Sequence, residues 1–279
     1  MKKKVLLIND MPGYGKVALS AMFPILSHMG YSVYNLPTAL VSNTLDYGKF
    51  EILDTTDYME KTVDVWEQLG FSFECIATGF IVSEAQVRLI TDYIGRQREK
   101  TAGLYVAVDP IMGDNGVLYN GVDRKVISYM RELIGKADVI IPNFTEAAFL
   151  SEYGVGRESL DSDEIQRLLE NLRNLTDGSI VVTSIVERGT EQHLVCGYDR
   201  KTDTTFSHPF QYIPVRFPGT GDIFSAVLTG HLLKGAPLSD AVKTAMDSVE
   251  FLIRANAGNE DKYKGIPVEE YLPLMKAED

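Results

Sequence analysis

Near the C-terminus, Phe217-Pro218-Gly219-Thr220-Gly221-Asp222 leads into apolar residues at helical spacing: Phe224, Val227, Leu228 and Leu232, with His231 among them. Glycines at a helix start let bare backbone N–H groups face an anion, and the helix dipole favours negative charge at that end. Asp222 falls in the first turn. A carboxylate that can take a proton, beside a cradle for developing negative charge, suits phosphoryl transfer to an alcohol. Alone, the tetrapeptide reads equally well as a helix start whose first-turn acid answers the dipole.

The elements that would position this chemistry alternate along the chain. Apolar runs at 5–8, 39–41, 75–78, 105–108, 139–141 and 180–183 have the look of strands buried on both faces. Helical patterns lie between them at 17–29, 57–69, 84–96, 124–134 and 162–175, and Ser83 with Gln86 has the form of a capping box. Such alternation predicts an α/β fold, a three-layer α-β-α sandwich around a mostly parallel sheet. Residues 193–198 and 204–208 read as a small antiparallel hairpin at the sheet edge, and two or three helices close the chain. No repeat, low-complexity stretch or long linker interrupts it, so 1–279 reads as a single domain.

Ligands of such sheets sit outside the carboxyl ends of the strands. Here those ends carry Asn9-Asp10 followed by Gly13-Tyr14-Gly15, then Asp109 to Asp114, Pro142-Asn143-Phe144-Thr145-Glu146, and Thr183-Ser184. Each alone reads as a cap or turn; four together with the Gly-Thr-Gly-Asp start read as a site. Acidic and amide oxygens near a phosphate suit Mg²⁺, which binds through few carboxylates and keeps several waters. A Walker A loop is absent, as are the catalytic loops of protein kinases, and Gly13-Tyr14-Gly15-Lys16 lacks the later glycine of a dinucleotide fingerprint.

Composition narrows the partners. The 279 residues are 45% hydrophobic, ample for a core, and the net charge of −12 argues against nucleic acid and anionic membranes. Two cysteines, Cys75 and Cys196, form no metal or redox motif and fit a reducing compartment. The basic start and apolar 5–8 begin like a signal peptide, but Asn9-Asp10 ends the run too early. No apolar run approaches the roughly 20 residues of a membrane span. The chain is therefore expected in the cytoplasm.

Asp109-Pro110-Ile111-Met112-Gly113-Asp114, Asn143-Phe144-Thr145-Glu146 and Gly219-Thr220-Gly221-Asp222, in this order and separation, resemble the ribokinase-like kinases. Tyr14-Gly15, Ser20-Ala21, Phe23-Pro24, Leu36-Pro37-Thr38, Val41-Ser42-Asn43 and Tyr47-Gly48-Lys49-Phe50 look like the pyridoxal/pyridoxamine kinase branch. The similarity runs from about residue 4 to the C-terminal helices.

The resemblance implies an ATP-dependent kinase acting on the 5′-hydroxymethyl group of pyridoxal, pyridoxamine or pyridoxine. Asp222 would be the general base and the amides of Gly219, Thr220 and Gly221 the anion hole. Asn143 and Glu146 match the element that organises Mg²⁺ and phosphate, largely through water. Asp109 and Thr183 match nucleotide-site positions. Asp10, Thr44, Leu45, Asp46 and Phe80 match the substrate side, with 44–56 as a flap over it. A homodimer is implied, and a monovalent cation near the nucleotide is allowed.

The chain departs from that branch at three positions. Asp10 stands where many pyridoxal kinases carry Ser, Thr44 replaces a His of one bacterial subgroup, and Lys16 also replaces a His. An acid at position 10 would grip sugar hydroxyls, or meet a protonated pyridine nitrogen or amine. Asp222 speaks against the related hydroxymethylpyrimidine kinases, where Cys commonly stands. Two other readings stay open: another ribokinase-like kinase, for a pyrimidine, sugar or nucleoside alcohol, and a non-catalytic B6-binding protein.

Overall fold

Strands of a parallel sheet covered by helices on both faces must be apolar throughout, and Val5 to Ile8 are wholly buried. The computed structural model describes residues 2–119 and 122–274. It is a mixed α/β structure whose mostly parallel sheet is flanked by helices, as the alternation predicts. Its contacts divide into two compact units, residues 1–105 with 213–279, and residues 106–212.

In the first unit, β1 (Lys4–Tyr14) pairs in parallel with both β2 (Ser32–Asn43) and β4 (Cys75–Thr78), and β3 (Ile52–Asp54) closes antiparallel on β2. The helices are α1 (Ala18–His28), α2 (Thr56–Gln68), α3 (Glu84–Lys100), α7 (Thr220–Lys234) and α8 (Leu238–Asn256). Both β1 and β2 run well past the apolar stretches that announce them. The extra length mixes polar with apolar residues, and pairing between the two strands supplies what a local apolar run does not. Between Asn9 and Met11 the register slips: Asn9 faces Pro37 while Met11 faces Leu40. Such a bulge re-aims side chains where it falls, and here it falls on Asp10. The Ser83 cap exists, its side chain accepting from the Gln86 N–H.

In the second unit, β5 (Tyr105–Val108), β8 (Val139–Ile140) and β9 (Ser179–Glu187) are parallel, and β10 (Gln192–Asp199) and β11 (Thr204–Phe210) add an antiparallel edge. This is the hairpin expected at 193–198 and 204–208, with longer arms. The helices are α4 (Val126–Ile134), α5 (Phe144–Ser151) and α6 (Ser162–Arg173). Two elements were not foreseen. One is α5, whose Asn143 and Glu146 form a capping box. The other is a small hairpin, β6 (Gly113–Asp114) with β7 (Val117–Leu118), turning through Asn115 and Gly116, both at positive φ. Asn-Gly is the pair that such a two-residue turn favours.

Cys75 and Cys196 are buried free thiols. Among the described residues, no helix is long and apolar enough to cross a membrane.

Candidate active site

Helix α7 begins immediately after Gly219, which takes φ 85° as its cap. A Cβ at Gly219 would lie 2.7 Å from the Lys16 carbonyl oxygen and 2.9 Å from Val17 Cγ1. Both the conformation and the close approach demand glycine. At Gly221 an added Cβ would meet nothing within 4 Å. Packing therefore leaves the turn open at Gly221. The first-turn amides of Thr220, Gly221 and Asp222 lie where a helix has no carbonyl of its own to accept from them.

These two glycines should separate stability from activity. Gly219→Ala is expected to cost about 1–3 kcal/mol through strain, read as a lowered melting temperature. Gly221→Ala should melt at or slightly above the parent, since Ala is favoured over Gly in a helix by roughly 0.5–1 kcal/mol. It should nonetheless lose about tenfold or more in turnover by crowding the anion.

Asp222 is nearly fully buried, and both its carboxylate oxygens are held. Oδ1 accepts from Asn9 Nδ2 at 3.1 Å and Oδ2 from the Ala18 N–H at 2.8 Å. Ala18 adopts φ 48°, a left-handed conformation that a non-glycine residue holds at a cost. Burial pushes the Asp222 pKa up, while the Ala18 and Asn9 donors hold it down. Asp10, at the bulge, is only partly buried by its surface but electrostatically coupled to Asp222. Desolvation, then the Asp222 charge, raises its pKa to about 7.

Because the folded protein binds this proton more tightly than the unfolded chain, ionised Asp10 disfavours the fold. The penalty is absent below the ordinary carboxylate range, grows as pH rises from about 4 to about 7, and is full above that. Asp10→Asn is therefore expected to melt above the parent at pH 8, by about 2–4 °C per kcal/mol relieved. The gap should close toward pH 4. Thermal melts of both proteins across that range provide the check.

Phe80 follows Gly79 at the end of β4. Its N–H donates to Asn9 Oδ1 at 2.7 Å, and its carbonyl accepts from the Thr38 hydroxyl at 2.7 Å. Thr44 is buried, and its hydroxyl donates to the Tyr263 carbonyl at 2.6 Å. Leu45 to Tyr47 form a 3-10 turn that ends at Gly48, φ 75°. There Leu45 is exposed, Asp46 pairs with Arg216 at 3.4 Å, and the Tyr47 hydroxyl donates to Asp261 at 2.6 Å. The loop from Gly15 to Ala18 stitches the two groups together. Gly15 has no room for a Cβ beside Thr44, Lys16 and Val17 pack on Gly219, and Ala18 binds Asp222.

In the second unit, Asn143 and Thr183 are neighbours through a parallel bridge. Asn143 Oδ1 accepts from the Glu146 N–H at 3.0 Å, and Nδ2 donates to the Gly113 carbonyl at 2.8 Å. Buried Glu146 accepts from the N–H groups of Asn143 (2.9 Å), Met112 (3.0 Å) and Gly113 (3.5 Å). The Thr145 hydroxyl accepts from the Gly116 N–H at 2.9 Å. The β6–β7 hairpin therefore hangs on α5's first turn. Desolvation, then the charge of buried Asp109, raises the Glu146 pKa well above its ordinary value.

A family model described as phosphomethylpyrimidine kinase matches residues 24–266. The chain belongs to that family. A solved structure with pyridoxal, of a candidate phosphomethylpyrimidine kinase from Bacteroides thetaiotaomicron, is 34% identical. It covers 99% of this chain and 96% of that one, with a TM-score of 0.92. The pyridoxal kinase of Lactobacillus plantarum is 28% identical over 98% of this chain and 96% of its own, at a TM-score of 0.88. The pyridoxine/pyridoxal/pyridoxamine kinase of Bordetella avium is 30% identical, over 91% of this chain and 84% of its own. The protein is thus a ribokinase-like kinase in the branch that holds the pyridoxal kinases.

Sequence reasoning gave Asn9 no role beyond that of a polar strand end, and passed over Ala18 and Gly79. Asn9 was visible as a polar residue ending an apolar strand. Neither Ala18 nor Gly79 carries a side-chain signal: one acts through its N–H, the other by what it lacks.

Proposed function

We propose that this kinase transfers the γ-phosphoryl group of ATP to the 5′-hydroxymethyl group of a B6 vitamer: pyridoxal, pyridoxamine or pyridoxine. The observation that carries the reading is the buried Asp222, gripped at both oxygens in the first turn behind Gly219-Thr220-Gly221. The likeness to a protein solved with pyridoxal supports the substrate. Asp222 takes the hydroxyl proton as the alcohol oxygen bonds to phosphorus and the bond to ADP breaks. The amides of Gly219, Thr220 and Gly221 stabilise the charge on the transferring group.

Asp10 and Phe80, joined to Asp222 through Asn9, are the residues we assign to the pyridine ring, with Thr44, Leu45 and Asp46 as the substrate loop. Residues 44–56 are read as the flap that excludes water from the donor. Asp109 and Thr183 are assigned to the nucleotide. The fit to Mg²⁺ is through water: both polar atoms of the Asn143 amide are engaged, and each Glu146 oxygen already accepts an N–H. Among the described residues, no cluster of three acidic, His or Cys side chains offers direct ligation. Asn143 and Glu146 would hold the ion's water shell, where it would neutralise phosphate charge and ease the repulsion between Glu146 and Asp109. A single kinase domain over 1–279, a cytoplasmic homodimer and a monovalent cation near the nucleotide belong to the same proposal.

ATP consumption measured against pyridoxal, pyridoxamine, pyridoxine, hydroxymethylpyrimidine and ribose tests it. Turnover is expected with the B6 vitamers above the other two alcohols. The description of the matching family, phosphomethylpyrimidine kinase, favours a methylpyrimidine substrate as the second reading, and preference for hydroxymethylpyrimidine would support it instead. No turnover with any alcohol would leave a B6-binding protein.

A further inference from the structure

Asn9 is wholly buried at the end of four apolar β1 residues. A buried amide there is costly unless every polar atom is used. Its Oδ1 accepts from two backbone N–H groups, Asp10 at 2.9 Å and Phe80 at 2.7 Å. Its Nδ2 donates to Asp222 Oδ1 at 3.1 Å, with Met22 Sδ at 3.5 Å beyond. The two N–H groups settle which way the amide faces. A flip would turn its NH₂ onto two donors and its oxygen onto a carboxylate. Asp222 therefore always meets a donor.

A second position is shaped to this one. Ile8 is registered against Thr78 in the parallel β1–β4 pair, so the residues that follow each, Asn9 and Gly79, meet side by side. A Cβ on Gly79 would lie 2.3 Å from Asn9 Nδ2 and 2.4 Å from Asn9 Cγ. Gly79 adopts no positive φ, so its glycine is explained by space for the amide rather than by backbone conformation.

We propose that Asn9 is a positioning residue for phosphoryl transfer. Held in one orientation by the Asp10 and Phe80 N–H groups and housed by Gly79, it fixes the rotation of the Asp222 carboxylate and keeps it in its basic form. The same amide ties Asp222 to the two ring-facing residues, so base and acceptor alcohol are set by one hydrogen-bonded unit. This rests on Asp222 being the base. The titratable group that faces Asp222 is Asp10 on β1; α1 offers it the uncharged Ala18 N–H.

The test is the pH profile of kcat, with KM for pyridoxal and for ATP, in Asn9→Asp and in Asp222→Asn. Asn9→Asp keeps an oxygen for the two N–H groups but turns a second carboxylate oxygen onto Asp222. It is expected to lower kcat at pH 7 by about 10- to 100-fold, the scale of misplacing a reacting group by about 1 Å. The acidic limb should move up by about one pH unit, and KM for ATP should change less than threefold. A merely structural role would lower the melting temperature without moving that limb.

Should Asn9→Asp fail to fold, Asn9→Ser, smaller and uncharged, carries the same measurements with a fall in kcat of about tenfold or more. A folded Asn9 variant with the parent's kcat and acidic limb overturns the proposal. If Asp222→Asn has lost turnover in the same assays, the base reading survives that result and positioning alone falls. If Asp222→Asn turns over normally, both fall together.

Discussion

Asp222→Asn is expected to lower kcat for the B6 vitamers by about 10²–10⁴, the usual contribution of a general base. ATP binding should be nearly unchanged, because the nucleotide is assigned to other residues. The substituted amide keeps one oxygen for a donor but turns its NH₂ toward another N–H, either that of Ala18 or that of Asn9. Leaving one such donor unpaired costs about 1–3 kcal/mol. Removing a buried carboxylate whose pKa burial has raised offsets part of that loss. The melting temperature should accordingly move by only a few degrees. Steady-state kinetics with calorimetric titration of the nucleotide separates the two effects, and near-normal turnover in this variant would remove Asp222 as the base.

Glu146→Ala should act on both fold and metal dependence. It strips the acceptor from the N–H groups of Met112, Gly113 and Asn143. Buried donors left unpaired cost about 1–3 kcal/mol each, so the loss is several kcal/mol and the β6–β7 hairpin is left on α5 with only its bonds to Asn143 and Thr145. Melting is expected to fall by about 10 °C or more, and the Mg²⁺ needed for half-maximal turnover should rise. Glu146→Gln keeps one acceptor oxygen and gives an intermediate result. Unchanged melting in Glu146→Ala would mean that the hairpin does not hang on this carboxylate.

The fold was legible because hydrophobic periodicity is a local signal. The apolar runs at 75–78 and 105–108 coincide with β4 and β5. Where the signal failed, the cause was pairing or capping rather than propensity. Strands β1 and β2 extend each other through polar residues such as Asn9, Asn35 and Asn43. Helix α5 is short, and its start is set by the reciprocal bonds of Asn143 and Glu146. That Asn-x-x-Glu spacing has the form of a capping box, yet in the linear chain it reads equally well as a strand end carrying ligands.

The sequence by itself determined that the chain is a helix-flanked, mostly parallel sheet with polar residues at its strand ends. It also placed Asp222 in the first turn of a helix behind two glycines, because those features depend on neighbours a few residues apart. Only the tertiary structure decided that Asp222 is held by Asn9 and Ala18, that Asp10 sits at a bulge within its electrostatic reach, and that Gly79 leaves room for the amide joining them. Asp222 lies 213 positions from Asn9 and 204 from Ala18, and Gly79 belongs to a different strand end from the amide it houses. Their chemistry consists of hydrogen bonds, burial and excluded space, which exist only once the strands are paired.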